Sequence, residues 1–239
     1  MSGAAPRDSR HASTLREWAK SLAIAFVAWL FLRTFVIQAF HIPSPSMENT
    51  LLVGDVLFVA KPTYGIEVPL LGVRLPGFRE PRRGDIVIFD SVEEEGLEVV
   101  KRVIGVPGDT LAMKDGQLYR NGEPVAEPYA QRNNPAAPDA PELRLKMASW
   151  QRPRLIGPPP ERYDPDRNNW GPVVVPPDSL FVMGDNRDDS LDSRFWGFLP
   201  RRNVRGSPLL IYYSWDKQSW RPLPFLTAVR WGRLFTVPR

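Results

Sequence analysis

The chain has no cysteine and only two histidines, His11 and His41, among 239 residues. The first absence excludes disulfide frameworks, thiol nucleophiles, Cys-type zinc sites and iron–sulfur clusters. The second excludes a multi-histidine metal centre. No glycine-rich phosphate loop occurs either. Charge of one sign is in small excess: 31 Lys+Arg against 27 Asp+Glu leave +4, a mild and spread-out surplus that gives only weak support to nucleic-acid or anionic-membrane binding. Proline is what the chain has in plenty, 26 residues, about twice the usual share, which argues against a helical bundle.

One apolar run stands near the N-terminus. Residues 21–32 (SLAIAFVAWLFL) carry no charge, and the pattern resumes after Arg33 as TFVIQAF. Together residues 18–40 are long enough to cross a bilayer, with Lys20 and Arg33 snorkelling. The triplet Ile37-Gln38-Ala39 lacks the small-x-small character of a cleavage site, which favours an uncut anchor over a removed signal peptide. Arg7, Arg10, Arg16 and Lys20 precede the span, so the positive-inside rule leaves residues 1–17 in the cytoplasm and exports the rest.

Beyond the anchor the chain reads as β-structure. Runs at 56–60 (VLFVA), 85–89 (DIVIF), 98–104 (EVVKRVI), 180–183 (LFVM) and 209–215 (LLIYYSW) are separated by turn signals. Asp115-Gly116 and Asn121-Gly122 bracket QLYR and predict a small meander over 110–125. Thirteen of the 26 prolines fall between Pro124 and Pro177, where strand patterns fade. The expected organisation is a β-rich core over 41–122 and 177–239, interrupted by a Pro-rich lobe over 123–176 that reads as a tolerated excursion sooner than as a lid or partner surface. No segment beyond the anchor shows a long helical period, so the soluble part is expected to be mostly antiparallel sheet.

Three segments carry candidate chemistry. Ser46 follows two prolines in Pro43-Ser44-Pro45-Ser46, which keep the backbone extended or turned; it is either a solvated hydroxyl or a nucleophile in need of a base. His41 is about 16 Å away along an extended chain, and His11 lies across the expected membrane. Strand alternation places Lys101 on one face with Val99 and Val103, and Val100, Arg102 and Ile104 on the other. That lysine is either a buried amine pushed towards neutrality or an edge-strand charge that discourages aggregation. The third segment runs from Gly184 to Arg194. Its acidic spacing fails as a calcium loop, because Arg187 falls on the third ligand position and no glycine stands at the sixth. A turn tightened by Asx hydrogen bonds and Asp–Arg pairs fits it better.

Taken together these blocks resemble the type I signal peptidase family of membrane-bound serine proteases. The match is carried by Pro43-Ser44-Pro45-Ser46-Met47-Glu48-Asn49-Thr50-Leu51, Arg83 to Val87, Lys101 to Asp109 and Gly184 to Arg194, in that order after the anchor. The resemblance implies a mainly β fold: an N-terminal transmembrane helix and an antiparallel β-sheet catalytic domain of the signal-peptidase and SOS-repressor-protease type. It implies Ser46 as nucleophile, Lys101 as general base, Ser190 as the hydroxyl that orients the amine, and Ser44 as an oxyanion donor beside the Ser46 backbone N–H. Asp192 and Arg194 match a supporting ion pair, and Asp185, Asn186 and Arg187 a loop-shaping motif. Ile42, Pro43, Met47, Leu51 and Val100 match substrate-pocket positions. No metal or cofactor is implied. The expected partners are signal-peptide-bearing preproteins, the lipid bilayer and nearby export machinery, with no nucleic acid. The expected location is a bacterial-type inner membrane, with the catalytic domain outside. Trp196, Phe198, Trp215, Trp220 and Trp231 are candidates for a lipid-facing surface.

Asn49 departs from the proline common at its position, and Pro45 replaces a frequent glycine. Two other readings remain open on sequence: a narrow-substrate maturation peptidase with the same chemistry, and a catalytically silent membrane-tethered binding domain.

Overall fold

The computed structural model describes residues 8–68, 73–158 and 160–239. Helix α1 (Asp8–Phe31) runs into a π-helical turn, Leu32–Val36. The segment Arg16–Val36 is long and apolar enough to cross a membrane, and none of its residues is buried. At 1.5 Å per residue that portion is about 30 Å long.

The helix stops at Val36, four residues short of the expected end. Ile37 is extended (φ −131°, ψ 133°) and begins strand β1 (Ile37–His41), which pairs with β2 (Asp55–Ala60) in the register Ile37↔Ala60 to His41↔Val56. TFVIQAF therefore divides between two structures. The Thr34 carbonyl, left over at the helix end, accepts from Lys61 Nζ at 3.1 Å, Gln38 donates to Glu98, and Phe40 enters the core. An apolar tally does not separate these residues from the helix because alternate strand positions are apolar too.

The remaining strands are β3 (Ile66–Val68), β4 (Val73–Leu75), β5 (Ile86–Asp90), β6 (Glu98–Gly105), β7 (Thr110–Lys114), β8 (Gln117–Arg120), β9 (Glu123–Pro124), β10 (Trp170–Val174), β11 (Ser179–Met183), β12 (Leu199–Pro200) and β13 (Val204–Ser214). A seven-stranded sheet takes the order β1-β2-β13-β5-β6-β11-β12, a second sheet the order β10-β7-β8-β9, and β3 pairs with β4. Named strand pairs are all antiparallel. The meander forms as its turn residues require: Asp115 and Gly116 (φ 47° and 77°), then Asn121 and Gly122 (φ 56° and 86°), all adopt the positive φ of two-residue hairpin turns.

The Pro-rich lobe is more than an excursion. It supplies β9 and β10 to the second sheet and contains an 11-residue helix, α2 (Pro141–Gln151). Trp170, Val173 and Met147 from the lobe share one core with Leu111, Met113, Phe181 and Phe195. The sequence hides α2 because only Met147 and Gln151 of its residues are buried, too narrow a stripe to leave a helical period. Pro141 opens it at the first helical position, where a missing N–H costs nothing.

The aromatic candidates separate as well. Trp196 packs on Phe89 and Phe198 on Trp150 and Phe181, so these two are half-buried against the core. Trp215 is half-buried against His41 and Tyr213. Trp220 is fully open and Trp231 largely exposed, with Leu223, Phe225, Leu226 and Phe235 beside them in the chain.

Candidate active site

Ser46 sits in a 3₁₀ turn, Pro45–Met47. Pro45 at the first position presets its φ, and the turn is closed by Glu48 N–H to the Pro45 carbonyl and Leu51 N–H to the Met47 carbonyl (2.9 and 2.8 Å). Met47 and Leu51 are fully buried and pin the turn to the sheet. Asn49 completes it in the left-handed region (φ 86°), which a proline ring fixed near −65° does not reach. Its side-chain amide donates to the Tyr129 carbonyl. The departure from proline is thus a different turn, held from the lobe.

Lys101 lies in the middle of β6, opposite Val87 of β5. The alternation holds: Val99 and Val103 pack with Val87 and Phe89, while Val100 packs with Ile86 and Ile88 on the other face. The side chain is 3% exposed, and its amine donates to Ser46 Oγ at 2.6 Å. Burial is the main cause that pushes the Lys101 pKa down to about 8; Arg194 acts in the same direction, against Asp192, Asp185 and Asp189. Ser44 Oγ stands 3.3 Å from Ser46 Oγ.

The expected contact between Ser190 and the amine is not a hydrogen bond. Ser190 Oγ donates to Asp192 Oδ2 at 2.7 Å, a stronger acceptor than a neutral amine. Asp192 is fully buried and also takes Gly184 N–H at 3.0 Å and the Arg194 guanidinium through 2.9 Å contacts. Burial raises the Asp192 carboxyl, but Arg194, the Gly184 N–H and Lys101 outweigh it and hold the pKa below the usual range. Gly184 is required by space: a Cβ there would collide with Ser190 and with the Ser46 carbonyl.

Composition and spacing do not reveal how the loop from Gly184 to Arg194 grips the Ser46 turn. Asn186 N–H donates to the Ser46 carbonyl (3.1 Å) and its side chain to the Pro45 carbonyl (3.3 Å). Asp185 accepts Arg102 at 2.7 and 2.6 Å and Thr50 Oγ1 at 2.5 Å. The lobe backs this loop. Glu127 takes Arg187 at 2.7 and 2.6 Å, Gln131 bridges Asn186 in parallel, and Trp150 and Gln151 donate to the Arg194 carbonyl.

A cleft of about 320 Å³ opens beside Ser46 and Lys101, walled by Phe89, Leu97, Val99, Leu191 and Trp196, with Glu93, Glu94 and Asp189 also in its lining. The residues expected as pocket lining lie elsewhere. Ile42, Met47, Leu51 and Val100 are 0–5% exposed and belong to one core with Phe40, Leu57 and Ile211; Pro43 is exposed and outside the cleft. Strand alternation carries the signal, since Val99 shares the Lys101 face and Val100 does not. Among the described residues no three His, Asp or Glu side chains converge as a metal site.

Such an arrangement suits nucleophilic acyl chemistry: an alcohol, a base held at hydrogen-bond distance and depressed towards neutrality, and a second hydroxyl near the reacting oxygen. Comparison with known proteins finds signal peptidases. A signal peptidase I from Pseudomonas aeruginosa is 36% identical over 228 residues, covering 90% of this chain and 78% of the relative. One from Bacillus licheniformis is 36% identical over 206 residues, covering 86% and 92%. A solved signal peptidase I from Enterococcus faecalis V583 aligns with 54% of this chain and 97% of its own at 30% identity, with a TM-score of 0.35, an overlap too low to argue from. The family model described as "Signal peptidase, peptidase S26" matches residues 15–213, so the chain belongs to that family.

Proposed function

We propose that this protein is a membrane-anchored serine endopeptidase that removes N-terminal signal peptides from exported preproteins, cutting after a small-x-small site through an acyl-enzyme. The observation that carries the reading is the buried Lys101 amine 2.6 Å from Ser46 Oγ. Ser46 Oγ attacks the scissile carbonyl as neutral Lys101 takes its proton. The oxyanion forms where the Ser46 backbone N–H and the Ser44 hydroxyl donate. Collapse breaks the C–N bond, and Lys101 hands its proton to the leaving amine. Water then enters through the same base and releases Ser46.

A base with a pKa near 8 supports this role. At pH 7 about a tenth of such amines are neutral, against about one in 3,000 at the ordinary value. Ser190 and Asp192 act on the amine as positioning groups. The substrate enters extended, pairing with a strand edge. The apolar anchor keeps enzyme and membrane-tethered preprotein in two dimensions, which raises their effective concentration. The basic residues before the anchor leave the catalytic domain on the extracytoplasmic side, and Trp220 and Trp231 meet the lipid surface.

The test is cleavage of a purified preprotein by wild type, Ser46→Ala and Lys101→Ala in detergent, with N-terminal sequencing of the product. Cleavage after a small-x-small site by wild type alone is the expected result. Unchanged activity in either variant rejects the dyad. A panel of preproteins separates a general peptidase from a narrow maturation enzyme, and failure to cleave any of them points to a binding domain.

A further inference from the structure

The long strand β13 pairs with β5 only at Val204 and Gly206, while its other edge pairs with β2 from Ser207 to Ser214. The edge vacated beyond Gly206 is taken by the C-terminal segment. Phe235 N–H donates to the Ile211 carbonyl and Ile211 N–H to the Thr236 carbonyl (2.7 and 2.9 Å). Arg230 N–H donates to the Ser214 carbonyl at 2.9 Å, and Trp215 bridges Val229. Phe235 is held there in the left-handed region (φ 60°), a costly conformation for an aromatic residue that persists only where its surroundings impose it.

This attachment brings two guanidiniums to the 50–55 return: Arg230 donates to the Val53 carbonyl at 2.9 Å, and Arg233 makes the larger set of bonds. Arg233 donates to both oxygens of Asp55 (3.1 and 2.5 Å) and to the Thr50 carbonyl (2.9 Å). Asp55 is fully buried and also accepts Leu52 N–H at 2.9 Å and Ser214 Oγ at 2.6 Å. Both ends of the 50–55 return, which leads from the Ser46 turn into β2, are therefore tied to one guanidinium. Thr50 is also the residue whose hydroxyl meets Asp185. The clamp and the loop from Gly184 to Arg194 thus grip the same point from opposite sides.

We infer that Arg233 is a positioning residue for the nucleophile: it fixes the turn that sets Ser46 Oγ against Lys101 without touching substrate. The inference rests on Ser46 being the nucleophile. Small misplacements of a reacting atom cost up to about 100-fold in rate. Removal of the clamp shifts a turn that Asn186 still holds, so the expected loss is nearer tenfold.

The full chain in detergent is compared as wild type, Arg233→Lys, Arg233→Met, the pair Arg233→Met with Asp55→Asn, and Ser46→Ala. The pair leaves no uncompensated buried charge and is the variant to read if Arg233→Met alone does not fold. With rates normalised to folded protein, kcat is expected to fall about tenfold in Arg233→Met and in the pair, KM to stay within about twofold, and Arg233→Lys to recover most of the loss. A wild-type kcat in the folded variants, or a loss confined to KM, overturns the inference. Ser46→Ala separates the two failures: if it stays active, the nucleophile assignment is wrong, and if it is dead while the Arg233 variants match wild type, only the clamp is wrong.

Discussion

Replacing Lys101 by methionine should make the protein inactive and more stable. The amine is 3% exposed, and its pKa is about 8 in the folded chain against an ordinary 10.5. Between those two values the unfolded chain binds more protons than the folded one, so stability rises with pH across that window. Below pH 8 the cost of charging the buried amine is fully present. At about 1.4 kcal/mol per pH unit it amounts to roughly 3 kcal/mol. Lys101→Met removes this cost and loses the bond to Ser46, about 1 kcal/mol, which leaves a net gain of about 2 kcal/mol at pH 7. The gain should vanish as the pH approaches 10.5. Urea unfolding of both proteins in the same detergent, at a series of pH values, reads the difference directly, because every other titrating group is common to the pair.

The wild-type rate gives the second arm. From pH 6 to pH 9 the neutral fraction of an amine with pKa 8 rises from about 1% to about 90%. The rate kcat/KM should therefore climb about tenfold per pH unit at first and level off above pH 8. A limb centred near 10 would mean an amine as well solvated as any surface lysine. A methionine variant less stable than wild type at pH 7 would sink the claim that Lys101 is charged at a cost. Either result refutes the reasoning from burial.

Four other perturbations have equally definite outcomes. Ser44→Ala should lower kcat by about 10²-fold with KM little changed, as for loss of one oxyanion donor, measured on a fluorogenic peptide. Gly184→Ala drives a methyl into Ser190 and the Ser46 carbonyl. It should cost more activity than Ser44→Ala, and wild-type rates would show that the loop yields freely. Asn49→Pro forbids the φ of 86° and should lower both the melting temperature and activity. Asn49→Gly, which trades one hydrogen bond for an unstrained left-handed residue, should stay within about 1 kcal/mol of wild type. Single-tryptophan variants that retain Trp220 or Trp231 should be quenched by brominated lipid, whereas one that retains Trp196 should not; absence of quenching at Trp220 and Trp231 removes the lipid-facing surface.

Local signals made much of the sheet legible. The β-branched runs at 86–89 and 98–104 become paired strands, and Asp-Gly and Asn-Gly mark turns because few other residues enter the left-handed region cheaply. Alternation in β6 sets Lys101 with the valines. Less legible was whatever depends on a partner far along the chain. Ile37 to Phe40 are as compatible with a helix as with a strand until β2 is there to pair with them. Helix α2 buries too little to show a period. Ser190 bonds to Asp192 rather than to Lys101, and Ile42, Met47, Leu51 and Val100 face a core whose other half comes from β2, β5 and β13. Family correspondence brings such residues to the right neighbourhood, but burial decides which of them a substrate can touch.

Buried charge shows why the loop and lobe are built with so many ion pairs. Among the described residues, Arg102 is paired with Asp185, Arg187 with Glu127, Arg194 with Asp192, Asp55 with Arg233, Asp109 with Arg83 and Asp139 with Arg167. Of the buried charged side chains only Lys101 has no carboxylate within ion-pair distance. Removing one partner from a buried pair costs about 3–5 kcal/mol, so the fold satisfies each pair and leaves a single amine uncompensated. Asp192 is near enough to be felt, yet its oxygens are already engaged by Arg194, Ser190 and Gly184. Asp192 still pulls the Lys101 pKa upward, and Arg194 offsets part of that pull, so burial is what holds it low. The charges around the amine thus work partly against one another, and the depressed pKa follows from the apolar strand face that buries it.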